Sequence, residues 1–117
     1  MLNKPKYSLF SNTIYAFKGL KELLKNESSF RLEVAVFVIA CVVVYFVDKS
    51  IYEKLFLMGS VLLVLIVEAI NGAIERVVDL VTSEYHPLAG KAKDVGSTAV
   101  FLSICFGVLV WGVVLFV

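Results

Sequence analysis

Three long stretches without a charged side chain dominate this sequence: residues 34–47, 55–67 and 95–117. With their flanking residues, each is long enough to cross the roughly 30 Å hydrocarbon core of a bilayer as a helix. Hydrophobic residues make up 60% of the 117-residue chain, whereas soluble proteins usually contain about 45–50% apolar residues. The sequence therefore predicts an all-α membrane protein with a single domain, residues 1–117.

The boundaries of the crossing helices follow from the polar residues between them. We predict helices over 29–47, 52–82 and 95–117, with Ser28 or Ser29 as the N-cap of the first. Residues 48–50 form a turn so short that the second helix must run antiparallel to the first. Residues 83–93 are predicted to be a polar connection outside the hydrocarbon.

The N-terminal part has a different pattern. Residues 1–7 are polar and contain Pro5, so a loose tail is expected. Residues 8–25 place apolar side chains on one face of a helix and basic ones on the other, a pattern typical of a helix lying in the membrane interface. Six basic residues precede the first apolar stretch: Lys4, Lys6, Lys18, Lys21, Lys25 and Arg31. Their number predicts a cytoplasmic N-terminus and an outer C-terminus in a bacterial cytoplasmic membrane.

Several residues receive simple structural interpretations. Cys41 and Cys105 have no metal-ligand spacing, so both are predicted to be small buried hydrophobic residues without a disulfide. Glu33 is expected to pair with Arg31, and Trp111 to anchor the outer interface. The net charge of +1 gives no reason to expect a nucleic acid as a partner.

Four polar side chains on the second crossing helix form the main functional signal. Glu68, Asn71, Glu75 and Asp79 follow one another at steps of three, four and four residues, so they share one helix face. Acids at membrane depth are costly and usually serve a function. This polar stripe, residues 68, 71, 75 and 79, is compatible with an ion pathway, a contact between subunits or a catalytic site.

A second charged cluster, residues 91–94, opens the third crossing helix at the same membrane level as the lower end of the polar stripe. It contains Lys91, Lys93 and Asp94. Cations and carboxylates together suit phosphates and a divalent metal ion. The sequence has neither a GxxxxGK[ST] nor a GxGxxG phosphate loop, so a soluble type of kinase is not indicated.

These motifs carry a family resemblance. The pattern Glu68-x-x-Asn71-x-x-x-Glu75-x-x-x-Asp79, the run 83–86 and the run 90–97 together resemble the prokaryotic diacylglycerol kinase family. The likeness extends to residues 15–20 and 26–31 and so covers almost the whole chain. It implies a small membrane kinase with an interfacial helix and three crossing helices, assembled as a homotrimer with active sites between subunits.

The resemblance also implies roles for individual residues. Glu68 would be the base that takes the proton of the lipid hydroxyl, and Glu27 and Glu75 would be the ligands of nucleotide-bound Mg²⁺. The positions that would contact ATP are Tyr15, Glu27, Glu75, Glu84, Tyr85, His86, Lys93 and Asp94. The positions on the lipid side are Glu68, Asn71, Asp79 and Ser97. Family members often carry an arginine where Ser8 stands here, and Lys6 would replace it.

The expected reaction is the conversion of diacylglycerol and ATP to phosphatidate and ADP. A Gram-positive branch of the same family prefers undecaprenol, and that substrate is the first alternative. The run 96–100 is more similar to the diacylglycerol branch. A small oligomeric ion or drug transporter that uses Glu68 as its coupling acid is a further alternative, as is a non-catalytic assembly subunit.

Overall fold

The computed structural model describes residues 8–117 and contains four helices in this range. They are α1 (Leu9–Asn26), α2 (Ser28–Phe46), α3 (Ile51–Val81) and α4 (Pro87–Phe116). No strand occurs in the described part of the chain, so the predicted all-α class is confirmed. The predicted tail and Lys6 lie outside the described residues.

Helices α2, α3 and α4 are each long and apolar enough to cross a membrane, judged by length and composition. Helix α3 packs against α2 on one side and most extensively against α4. The indole Nε1 of Trp111 donates to the carbonyl of Leu57 at 3.1 Å, and Leu57 is fully buried. Trp111 therefore links α4 to α3 through a hydrogen bond that the sequence did not predict.

Helix α1 has no buried residue. Its N-cap is Ser8, whose hydroxyl accepts from the backbone N–H of Ser11 at 3.3 Å. Apolar side chains such as Leu9, Phe10 and Phe17 remain exposed along it. An amphipathic helix with an uncovered apolar face is suited to the membrane interface, as the sequence predicted.

A single extended residue, Glu27, separates α1 from α2. It occupies the N-cap position of α2 without a side-chain capping bond, and Ser28 and Ser29 lie inside the helix. The predicted serine cap is therefore wrong. Arg31 donates to the carbonyls of Leu24 and Lys25 at 2.9 and 3.1 Å. These carbonyls at the end of α1 lack helical partners, and Arg31 satisfies them instead of pairing with Glu33.

The turn before α3 contains a capping box. The hydroxyl of Ser50 accepts from the backbone N–H of Glu53, and the Glu53 carboxylate accepts from the backbone N–H of Ser50, each at 3.2 Å. This reciprocal pair satisfies two backbone donors that a helix start leaves free. It fixes the start of α3 directly after the predicted turn.

Helix α4 begins at Pro87 and not at residue 95. The N-cap is His86, whose Nδ1 accepts from the backbone N–H of Leu88 at 3.1 Å. Proline suits the first helical position because its missing N–H would be unpaired there and its φ is already helical. The polar connection is consequently shorter than predicted, and residues 91–94 lie within the helix.

Few apolar side chains are buried within the described chain: Phe30, Ala40, Val44 and Leu57. Cys41 and Cys105 are exposed, which corrects the prediction that they are buried. Their apolar stretches face outward because three packed helices enclose little interior. Apolar surface of this extent requires lipid or further protein around it.

Candidate active site

The upper part of the polar stripe meets α2. The hydroxyl of Ser29 donates to Glu68 Oε1 at 3.5 Å, and Glu33 on α2 is a neighbour of Glu68. Within residues 8–117, Glu33 Oε2 is buried without a hydrogen-bond partner. Glu33 on α2 and Glu68 on α3, called here the carboxylate pair, therefore place two acids beside each other where these helices pack.

The middle of the stripe is tied together by an amide. Asn71 is buried, and its Nδ2 donates to Glu75 Oε1 at 2.9 Å. The four-residue step that placed them on one face also brings these two groups into contact. A β-carbon at Gly96 would collide with Asn71 Oδ1. The absence of a side chain at Gly96 therefore lets α4 approach the stripe closely.

Arg76 is a site residue that the sequence reasoning missed. Its guanidinium donates to Glu27 Oε1 at 3.0 Å and to Glu22 Oε2 at 3.1 Å, and so joins α1, the α1–α2 junction and α3. The hydrogen bond from Arg76, together with one from Asn26, lowers the pKa of the Glu22 carboxyl below its ordinary value. An arginine inside a spanning helix was the available signal, but its carboxylate partners are 49 and 54 positions away.

The lower end of the stripe meets the start of α4. Lys93 Nζ donates to Asp79 Oδ1 at 2.7 Å. Around this pair lies a pocket of about 280 Å³ that also includes Glu84, Tyr85 and His86. The structure therefore brings together five of the positions predicted from the sequence. One lysine, two carboxylates, a tyrosine and a histidine around one pocket form a chemically mixed surface.

The remaining predicted positions stand apart within the chain. Tyr15 on α1 and Asp94 and Ser97 on α4 are exposed, and within residues 8–117 their side chains make no hydrogen bond. The Nζ of Lys18, on the same helix, lies 6.0 Å from the centroid of the Tyr15 ring. The structure of one chain thus does not join these three side chains to the polar stripe.

An apolar groove of about 500 Å³ begins beside the carboxylate pair. Glu33 is one of its lining residues, and the others are mainly aliphatic side chains of α2, α3 and α4. Trp111 also lines it. An apolar groove with an acid on its wall can hold a molecule that has an apolar chain and a polar head.

The donors available for a metal ion are carboxylate oxygens. Among residues 8–117, no group of three or more His, Cys, Asp or Glu side chains could hold a metal. Glu27 and Glu75 each accept one hydrogen bond on Oε1. Magnesium carried by nucleotide phosphates needs only one or two protein carboxylates. These two residues therefore fit a nucleotide-bound Mg²⁺ and do not fit a metal held by the protein alone.

Four helices, three of them long and apolar enough to span a bilayer, and a line of polar side chains on α3 define a small membrane protein with a polar site. The prokaryotic diacylglycerol kinase family model matches residues 14–115. A diacylglycerol kinase of Haemophilus influenzae is 41% identical over 108 residues, 92% of each chain. That of Escherichia coli K12 is 44% identical over 101 residues, which are 86% of this chain and 83% of the relative. That of Pseudomonas aeruginosa is 36% identical over 107 residues, which are 92% of this chain and 87% of the relative. The chain belongs to the prokaryotic diacylglycerol kinase family and is a membrane kinase.

Proposed function

We propose that this kinase transfers the γ-phosphoryl group of ATP to diacylglycerol, with Mg²⁺, and releases phosphatidic acid and ADP at the cytoplasmic face of the inner membrane. The observation that carries this proposal is the position of Glu33 on the wall of the apolar groove, with Glu68 as its neighbour on α3. It puts an acid where the head of a lipid would lie if its chain filled the groove.

Glu68 is the proposed general base. A primary alcohol is a weak nucleophile at neutral pH, so its oxygen needs a carboxylate within about 3 Å to accept the proton as the bond to phosphorus forms. Glu68 is half-buried and lies near one hydroxyl, that of Ser29. The same hydroxyl can hold the carboxylate in orientation while the lipid hydroxyl approaches from the groove.

The nucleotide is proposed to bind at the lower end of the stripe. Phosphoryl transfer depends mainly on alignment and on neutralising the charge of the transferred group. Lys93, held by Asp79, can donate to a phosphate oxygen, and Glu84, Tyr85 and His86 border the same pocket. Magnesium on Glu27 and Glu75 would neutralise phosphate charge when the nucleotide is bound.

The complete site is proposed to form between the subunits of a homotrimer with cytoplasmic N-termini. Within residues 8–117, the side chains of Tyr15, Asp94 and Ser97 make no hydrogen bond with the stripe of their own chain. A neighbouring chain would supply the missing side of the site. The extensive exposed apolar surface of the helices supports association within the bilayer. The excess of basic residues before the first crossing helix supports the proposed orientation.

Purified protein in detergent micelles tests the function directly. With Mg²⁺ and γ-labelled ATP, added diacylglycerol should yield labelled phosphatidate and an equal amount of ADP. Undecaprenol in place of diacylglycerol should be phosphorylated poorly. Phosphorylation of undecaprenol alone would overturn the substrate assignment, and ADP release that does not depend on any lipid would overturn the lipid kinase assignment.

A further inference from the structure

Arg76 connects three segments that otherwise meet only loosely. Beyond its bonds to Glu27 and Glu22, its guanidinium donates to the carbonyl of Gly72 at 3.0 Å. The arginine therefore uses its donors on two carboxylates and one backbone carbonyl. This arginine cluster, Arg76 with Glu22 and Glu27, includes one proposed magnesium ligand and one residue of the surface helix.

Gly72 leaves space beside the backbone of α3 for the guanidinium of Arg76. A β-carbon at position 72 would lie 3.1 Å from the Arg76 guanidinium and 3.3 Å from a methyl group of Leu23. Both distances are tighter than ordinary contacts, so a side chain here would require the ends of the Arg76 and Leu23 side chains to shift by a few tenths of an ångström. The glycine thus lets the arginine lie against α3 while α1 packs beside it.

Stability alone does not account for this arrangement. The side chains of Arg76, Glu22 and Glu27 are 39%, 51% and 27% exposed, and ion pairs open to solvent typically contribute only about 0–1 kcal/mol. Geometry is the stronger consequence, because the planar guanidinium fixes the direction from which a carboxylate approaches. The contact fixes where the carboxylate of Glu27 points.

Only one oxygen of Glu27 is occupied. Arg76 donates to Oε1, and within residues 8–117 no hydrogen bond reaches Oε2. Carboxylates that bind metals are usually held by an outer hydrogen bond of this kind. One guanidinium between two carboxylates also leaves one net negative charge, so the cluster still attracts a cation.

We propose that Arg76 is a positioning residue for the magnesium site: it holds Glu27 so that Oε2 faces the nucleotide-bound metal, and through Glu22 it keeps α1 beside that site. This role rests on the proposed function, in which Glu27 is a ligand of nucleotide-bound Mg²⁺. Arg76 itself does not touch the metal or the reacting atoms.

Direct metal binding tests this role without using activity. Mn²⁺ substitutes for Mg²⁺ at oxygen-rich sites, and electron paramagnetic resonance measures its free fraction. We expect Arg76→Gln in the full-length protein, with a non-hydrolysable ATP analogue, to weaken Mn²⁺ binding about 10- to 100-fold. Arg76→Lys keeps the positive charge but lacks the planar guanidinium. Its Mn²⁺ affinity should therefore lie between those of Arg76→Gln and the wild type.

Arg31→Gln is a matched control. Arg31 lies at the same α1–α2 junction, but it contacts only the backbone carbonyls of Leu24 and Lys25. Its removal perturbs the junction without touching a carboxylate, so Mn²⁺ affinity should stay within about twofold of the wild type. Equal losses in both arginine variants would mean that the junction only needs to be intact and would overturn the positioning role.

A double-variant measurement separates action through Glu27 from a general effect. In a Glu27→Gln background, Arg76→Gln should weaken Mn²⁺ binding by less than about twofold, because its target is already absent. If Arg76→Gln does not fold, the Mn²⁺ affinity of Arg76→Lys is measured instead. A wild-type Mn²⁺ affinity in Arg76→Lys would overturn the proposal. If the wild-type protein binds no Mn²⁺ in the presence of the analogue, the proposed function is overturned as well. If the wild type and Arg76→Gln bind Mn²⁺ equally well, only the positioning role is overturned.

Discussion

The side-chain oxygen of Asn71 occupies the space where a β-carbon of residue 96 would stand. Asn71 is buried and donates to Glu75, so its position is fixed on one side by the stripe and on the other by the backbone of α4. Small residues at helix contacts in membranes permit this close backbone approach. The polar stripe and the packing of α3 on α4 therefore depend on the same contact.

Gly96→Ala should destabilise the protein by about 1–3 kcal/mol, because the added methyl group has to push Asn71 aside. The control is Gly112→Ala on the same helix, where a β-carbon would meet nothing within 4 Å. That change should be neutral or slightly stabilising, since alanine favours helices over glycine. Unfolding in mixed detergent measures both variants. Equal stability of the two variants would show that the contact does not constrain the packing.

Glu75→Ala should raise the magnesium concentration needed for half-maximal activity at least tenfold. The change removes one of the two proposed carboxylate ligands and leaves Asn71 without its acceptor. Glu53→Ala, at the other end of α3, removes a carboxylate that only caps the helix. A magnesium titration should separate the two variants, and an unchanged titration for Glu75→Ala would remove this residue from the metal site.

Lys93→Met should lower kcat/KM for ATP at least tenfold with little loss of stability. Lys93 is proposed to contact phosphate, whereas its ion pair with Asp79 joins side chains that are 43% and 63% exposed. Such pairs contribute at most about 1 kcal/mol. Lys91→Met removes the same charge two residues earlier and should affect the ATP kinetics less. Similar kinetic losses in both variants would indicate a general effect of positive charge.

The sequence predicted the helices because their signals are local. Long uncharged stretches determine the crossing helices, and the Ser50 and Glu53 capping box marks a start that lies beside the predicted turn. The predicted start of α4 was wrong because residues 87–94 contain three charged side chains, a proline and a glycine, features typical of a loop. The cap by His86 on Leu88 and the helical hydrogen bond from the Gly90 N–H to the His86 carbonyl show that the helix already begins there.

The site was predictable to the extent that its residues lie on one helix. The steps of three and four residues predicted that Asn71 and Glu75 lie on the same helix face. The hydrogen bond between their side chains confirms this placement. The partners of Arg76 and Glu33 come from other helices, and no local pattern indicates them. The exposure of Cys41 and Cys105 was missed for a related reason. An apolar stretch has the same composition whether it faces protein or lipid.

Turnover of Glu68→Gln with diacylglycerol and saturating Mg·ATP tests the central claim most directly. Glutamine keeps the size and most of the hydrogen bonding of Glu68 but cannot accept the hydroxyl proton. If Glu68 is the base, kcat should fall by about 100-fold or more while the KM for ATP changes little. Turnover close to that of the wild type would contradict the account.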